Sequence, residues 1–473
     1  MTTLDAIAAW EIDAALEPPG RAFVETRAIE AIADGGPRLV VGPRGAGKTA
    51  ASRLITTISA GDRRAARLGL KDAFIAALRP LAAPDMAARA SASARYLILL
   101  TAFETLMEEQ LLGGAEIRDL AQRFSVGLDP DLAAALELVF NRSILYEVFG
   151  EAGPLAPARG DVADEIAGLE EAMARVLDGR CALVLLDEAV DRSIVARALD
   201  DLRVKAFQVL LRGAADLAKG AAGGAIAPVV FTRPGVFARL PEADRLAWAN
   251  KRFDLIWTPR ELRDVLDYRV AVAIPRKLGA SPERPAGAFE RLFAQAVREV
   301  AGRGCAPLDL VWPLTRARPR DAVFFVRAAA RNARHRGAET IDAEALMQAE
   351  KTYSAFLLAD MTDEIRDVAP DIDVVMRALA GSGQREMSAQ DFVDLIERAL
   401  AAANTDEGVA GARTMIECCY ESSVIGNVVG EGRNAQGVYA HSAPGAALDY
   451  NRPVIVHPGL TSALDLTYAA AAA

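Results

Sequence analysis

The chain has little of what metal and nucleophile chemistry usually draws on: three histidines and four cysteines in 473 residues. His335, His441 and His457 have no metal-ligand spacing. Cys181, Cys305, Cys418 and Cys419 contain no C-x-x-C, and the adjacent last pair suits neither a disulfide framework nor a zinc site. Buried, reduced thiols are the expectation. No Ser/His/Asp or Cys/His arrangement stands out. Long apolar runs are missing too, since YLILL and LVLLD are only core-length. The N-terminal MTTLDAIAAWEIDAALEPPG is acidic and lacks a basic n-region, which argues against a signal peptide and for a cytoplasmic protein. Lysine is scarce, and the net charge of −10 excludes a broad nucleic-acid glue while leaving a local basic face open.

What is present is a globular composition, 52% hydrophobic and 25% charged, with enough length for two to four domains. AFVETRAIEAIADGG at 22–36 reads as a short helix, and Pro37–Gly42 as a strand. An amphipathic helix follows Thr49, with Ala51, Leu54, Ile55 and Ile58 on one face. DAFIAALRP at 72–80 is a candidate for the next strand, and roughly 85–178 reads as a helical insertion. RCALVLLDEA, APVVFTRPG and FDLIWTP supply three further strands, with a helix over about 197–219 between the first two. Such alternation predicts a parallel sheet with helices on both faces. From 259 to about 360 the pattern is helical. The segment 361–473 begins helical and ends in glycine-rich strands, the layout of a winged helix.

Gly42-Pro43-Arg44-Gly45-Ala46-Gly47-Lys48-Thr49 matches G-x-x-x-x-G-K-[ST] in full. Glycines let the backbone wrap phosphate so that successive N–H groups point inward, and the positive end of the next helix faces the same anion. Lys48 would reach the outer phosphates, and the Thr49 hydroxyl would ligate Mg²⁺. A chance glycine turn is the bland alternative, and the flanking strand and helix weigh against it. Asp187 and Glu188 close the strand ALVLLDE. The first would hold Mg²⁺ and the second would polarise the attacking water, although any such pair can also cap the next helix. Thr232 and Arg233 end the following strand, either sensing the γ-phosphate or capping the strand before Pro234.

TRARPRDAVFFVRAAARNARHRG puts Arg320, Arg327, Arg331 and Arg334 on one helical face, with Phe324, Phe325 and Ala328 free to face a core. This is either a solvated basic face or a polyanion site. The segment 361–473 has seven arginines and no lysine against sixteen acids, so protein contact or core formation outweighs DNA binding there.

Together, GPRGAGKT, the LLDE strand, VVFTRPGVF and the helical region after it resemble AAA+ ATPases. More narrowly, the chain resembles prokaryotic P-loop ATPases related to origin-recognition and cell-division-control proteins. VVFTRPGVFARLPEADRLAWANKRFDLIWTPRELRDVLDYRV resembles their sensor strand, linker and first lid helix, and RPRDAVFFV the lid helix with a second sensor arginine, here Arg320. YESSVIGNVVG…VYAHSAP…PVIVHPGL looks like their C-terminal winged helix.

The resemblance implies an α/β fold: an AAA+-like P-loop parallel sheet over 1–258 with a helical insertion at about 85–178, an all-helical lid over 259–360, and a winged helix over 361–473. It implies ATP and Mg²⁺ as ligands and hydrolysis to ADP and phosphate. It also implies a homo-oligomer or a protein effector as partner, with Arg239 or Arg245 near the place of a trans arginine finger. Such proteins serve as nucleotide switches, including in bacterial anti-phage systems beside a separate effector. A DNA-binding ATPase and a non-hydrolysing nucleotide-gated scaffold are the rival readings.

Overall fold

A computed structural model describes residues 2–17, 26–34, 38–58, 63–69, 87–124, 162–187, 197–220, 224–274, 287–294, 297, 307–366, 369–403, 408–430, 435–443 and 446–467. The chain divides into two compact units. One is Glu25–Leu255; the other joins Met1–Val24 to Ile256–Ala473.

The first unit is built on five parallel strands: β1 (Leu39–Val41), β2 (Arg63–Gly69), β3 (Cys181–Asp187), β4 (Ile226–Thr232) and β5 (Arg252–Asp254). Their spatial order is β2-β3-β4-β1-β5, with every recorded pairing parallel. The inner strands are buried along nearly their whole length, while β5 at one edge is charged and partly exposed. Continuous apolar runs such as CALVLLD and IAPVVFT are what a sheet covered on both faces requires.

Strand alternation then sorts the side chains. Ala182, Val184 and Leu186 join the core formed with α4 (Ala87–Glu108) and α7 (Arg197–Leu217). Leu183, Leu185 and Asp187 point the other way, where α3 (Lys48–Ile58) packs on β2 and β3. Between β2 and β3 the chain also forms α5 (Gly114–Phe124) and α6 (Val162–Leu177), and both α4 and α5 pack on α6. The first helix of the expected insertion is therefore a sheet-covering element. The strand expected at 72–80 lies outside the described residues, and the strand beside β3 is formed by Arg63–Gly69. A short helix, α2 (Arg27–Ala33), precedes β1, and α8 (Pro234–Ala238) and α9 (Glu242–Trp248) follow β4.

The second unit is mainly helical. Its N-terminal helix α1 (Thr3–Ala8) is closed by a reciprocal capping box between Thr2 and Asp5, and it packs on α10 (Pro259–Ala273) and α12 (Pro319–His335). Residues 1–24 thus group with the helical unit and not with the sheet, a connection over some 250 residues that no local pattern announces. The short α11 (Pro307–Val311) leads into α12, which packs along α13 (Ala343–Arg366), with Phe324 stacked on Phe356 at 4.0 Å and Phe325 buried.

Three helices follow, α14 (Ile372–Ser382), α15 (Ala389–Ala402) and α16 (Gly408–Glu421). A small antiparallel sheet contains β6 (Glu386–Met387), β7 (Ile425–Val429), β8 (Gln436–Tyr439) and β9 (Val454–Val456) in the order β6-β9-β7-β8. Helices followed by the β7–β8 hairpin are the layout expected from the sequence. One hydrophobic core runs through α10, α12, α13, these three helices and the sheet. The turn after β9 seats Gly459 so tightly that a Cβ there would lie 2.2 Å from the Leu314 carbonyl oxygen and 2.7 Å from Leu357 Cδ2. No helix among the described residues is long and apolar enough to cross a membrane.

Candidate nucleotide site

β1 is only three residues long, yet all three are buried, which fixes where the 42–49 loop begins. The Gly42 N–H donates to the Thr232 carbonyl at 3.0 Å, tying the start of the loop to the end of β4. Gly45 and Gly47 have φ of 81° and 95°, a region that L side chains avoid and that a backbone nest for an anion requires. Helix α3 starts at Lys48, so its positive end points back into the loop. Lys48 is buried, and its Nζ donates to the carbonyls of Gly42 at 2.6 Å and Pro43 at 3.1 Å. The ammonium is thereby held against the loop, within side-chain reach of whatever the loop encloses. Ala46 is buried; Pro43, Arg44, Gly45, Gly47 and Thr49 are half-buried.

Asp187 ends β3 with no solvent exposure. Its Oδ2 accepts from Arg67 Nη2 at 2.7 Å and from Ser52 Oγ at 3.2 Å. Its Oδ1 is buried and has no hydrogen-bond partner among the described residues. Arg67 Nε also donates to Ser52 Oγ, at 2.9 Å. Ser52 lies one helical turn beyond Thr49 and contacts the Thr49 carbonyl at 3.0 Å. Asp187 is therefore anchored to the phosphate-loop helix on one side and to β2 on the other. The donor set suits a hard divalent cation: a buried carboxylate oxygen in want of a partner, and a threonine hydroxyl at the head of α3.

Sequence reasoning missed Arg67 and Ser52. The i, i+3 spacing from Thr49 could have found Ser52. Arg67 had no signal, because RRAARLG does not read as a strand.

Glu188 lies outside the described residues. Thr232 is fully buried at the end of β4, opposite Val41, and Arg233 is the N-cap residue of α8, with its side chain making no cap hydrogen bond to that helix. Arg239 and Arg245 are exposed, on the turn after α8 and on α9 respectively.

The arginines of the helical unit serve ends not anticipated from the sequence. Arg327 Nη1 donates to the Trp10 carbonyl at 3.2 Å and Arg331 Nε to the Ala8 carbonyl at 2.8 Å, while Arg334 pairs with Asp5 at 2.5 Å. Three of the four arginines on the predicted face thus engage the N-terminal segment, two of them at the carbonyl end of α1 where cations are favoured. Arg269, with its guanidinium over the Trp10 ring, adds a buried pair with Glu17.

Arg320 lies 3.6 Å from Asp360. It borders a buried network in which Arg318 grips Asp321 at 2.9 and 2.7 Å and reaches Asp360 at 3.2 Å. Arg316 links Asp360, Glu364 and the Ser422 carbonyl at 3.2, 2.9 and 3.0 Å. Burial disfavours the charged Arg318, but Asp321, Asp360 and Glu364 more than compensate and hold its pKa above the ordinary value. The neighbouring His441 imidazole is pushed down to about 3 by burial and by the charges of Arg316 and Arg318. The cysteines that are described, Cys181, Cys418 and Cys419, form no disulfide with one another, and no cluster of histidine, cysteine or acidic residues among the described ones could hold a metal by itself.

Residues 260–362 match the family model described as FunZ-associated C-terminal helical domain. No curated protein matches the chain. Among solved structures, the Aeropyrum pernix ORC1 protein in complex with DNA is 12% identical, with TM-score 0.39, covering 98% of this chain and 95% of that one. Cdc6p from Pyrobaculum aerophilum is 12% identical with TM-score 0.35, covering 98% and 96%. The Aeropyrum pernix ORC2 protein, in ADPNP–ADP complexes, is 12% identical with TM-score 0.42, covering 96% and 95%.

Proposed function

We propose that the protein binds ATP with Mg²⁺ at the 42–49 loop, hydrolyses it, and displays the nucleotide state to a protein partner. The observation that carries this reading is the pairing of a phosphate-shaped loop with a wholly buried carboxylate, Asp187, whose Oδ1 has no partner among the described residues. Loop amides from Gly45 to Lys48 bind and orient the outer phosphates. Lys48 exchanges its carbonyl partners for phosphate oxygens. Thr49 and Asp187 would hold Mg²⁺, which when bound supplies positive charge against the phosphates. Glu188 takes a proton from the attacking water. Thr232 and Arg233, at the end of the strand that pairs with β1, sense whether the γ-phosphate is present. Lid closure toward the phosphates brings in Arg320, and a neighbouring copy supplies Arg239 or Arg245.

In the finer form of the reading, the chain is a regulatory switch beside a separate effector in anti-phage defence. The acidic C-terminal segment and the use of Arg327, Arg331 and Arg334 on the N-terminal segment weigh against DNA as the partner.

The test is mass measurement of the Glu188→Gln protein with and without ATP, Mg²⁺ and duplex DNA. Nucleotide should bind, Lys48→Ala should lose it, and DNA should not be retained at moderate salt. Failure of the Glu188→Gln protein to bind nucleotide would overturn the reading. Salt-sensitive DNA retention would favour a DNA-binding ATPase.

A further inference from the structure

We propose that Arg67 is a positioning residue for the metal-binding carboxylate: by holding Asp187 Oδ2 together with Ser52, it leaves Oδ1 as the oxygen presented to Mg²⁺. The proposal rests on the ATPase reading above and deepens it.

Arg67 lies on β2, the edge strand, where an arginine could simply be a solvated charge that discourages strand addition. Its contacts argue otherwise. Parallel pairing sets Arg67 beside Leu185 and Gly69 beside Asp187. Arg67 and Asp187 are then diagonal neighbours on the face of the sheet that α3 covers. Two different guanidinium nitrogens engage the site, Nε on Ser52 at 2.9 Å and Nη2 on Asp187 at 2.7 Å. Ser52 has no solvent exposure, and its one hydroxyl proton serves the Asp187 and Thr49 oxygens while its lone pair accepts from Arg67. The result is a closed bracket on one carboxylate oxygen, built from the phosphate-loop helix and the edge strand.

The other oxygen, buried and unmatched among the described residues, is costly unless a ligand completes it. A second consequence concerns charge. Arg67 and Asp187 together are neutral, so the site offers a free divalent cation little net attraction, and the cation enters with the polyphosphate whose charge it balances. Arg67 does not touch nucleotide in this account; it acts through Asp187. A lysine would keep the charge but not the planar two-point grip.

The experiment measures the affinity of the full chain for a fluorescent ATP analogue in Mg²⁺ and in EDTA, and takes the ratio as the metal-dependent enhancement. Arg67→Met should lower the enhancement at least fivefold, while the EDTA affinity stays within about twofold of the parent. Arg67→Lys should recover at least part of the loss. Arg67→Met in an Asp187→Asn background should change nothing further. Should Arg67→Met fail to fold, Ser52→Ala removes only the bridging hydroxyl and should lower the enhancement about twofold to threefold. An enhancement equal to the parent's in Arg67→Met, or in Ser52→Ala where that variant is needed, overturns the inference and leaves the ATPase reading standing. A parent that binds no nucleotide in either buffer overturns both.

Discussion

Arg318 offers a sharp quantitative test of the helical unit. Its side chain is 2% exposed, makes two hydrogen bonds to Asp321 and one to Asp360, and joins the N-terminal turn of α12 to α13. Arg318→Met keeps an apolar stem but removes the guanidinium and leaves two buried carboxylates short of a partner. Breaking a buried pair from one side costs about 3–5 kcal/mol. The lower end applies here, because Asp321 still accepts from the Arg316 N–H at 3.0 Å and Asp360 from Arg316 Nη2 at 3.2 Å. A loss of about 3 kcal/mol is a large share of a domain's roughly 5–15 kcal/mol. In a unit of this size it lowers Tm by about 6–12 °C. Calorimetry, with hydrogen exchange along α12 and α13 to assign the transition, measures it. Arg336→Ala is the control: Arg336 pairs with Asp342 at 2.9 Å and Glu344 at 2.8 Å from an exposed position, and its loss should cost under about 1 kcal/mol. If Arg318→Met costs no more than Arg336→Ala, the buried network is not a structural anchor and the reasoning fails.

Other consequences concern the same unit. Arg327→Ala with Arg331→Ala removes two donors from the carbonyl end of α1, so amide exchange over residues 4–10 should quicken about tenfold, which is ~1.4 kcal/mol; unchanged exchange would mean that α1 is held by its apolar contacts alone. His441 is kept neutral in the fold, with its pKa down at about 3 against the ordinary 6.5. The unfolded chain therefore binds the extra proton first as the solution is acidified. This contribution is complete above pH 6.5 and is lost progressively toward pH 3, reaching roughly 2–3 kcal/mol by pH 4.5. Urea melts at pH 7 and 4.5 should show that loss, and His441→Phe should make it smaller. Gly459→Ala forces a methyl against the Leu314 carbonyl and Leu357, and should lower Tm by several degrees without changing nucleotide affinity.

Much of the sheet unit is legible in the sequence because its signals are local. LVV before the glycine loop, CALVLLD and IAPVVFT are apolar runs bounded by polar or glycine punctuation, and each forms a buried strand. β2 is the exception. RRAARLG has three arginines in seven residues: alternation puts Arg64 on the face of Ala66 and Leu68, which enter the core, and Arg67 on the opposite face beside Ser52 and Asp187. Three arginines in seven residues give no strand signal, so nothing local in the sequence links Arg67 to Asp187. The α12 arginines were legible as a face but not in their use. Their partners are the carbonyls of Ala8 and Trp10, more than 300 residues away, and no sequence period encodes a contact at that separation. Arg316 and Arg318 are similar, since a run of arginines looks solvated until the acids of α13 are seen packed against it.

ATP hydrolysis at the 42–49 loop and the end of β3, as proposed above, is open to direct measurement. Phosphate release by the purified parent and by Glu188→Gln, with nucleotide binding measured on the same samples, tests it most directly. Slow but measurable turnover is expected in the parent, with at least a hundredfold loss in Glu188→Gln while binding is kept (~2.7 kcal/mol of barrier). Turnover equal in the two proteins, or none in a parent that binds Mg²⁺ and ATP, would contradict it.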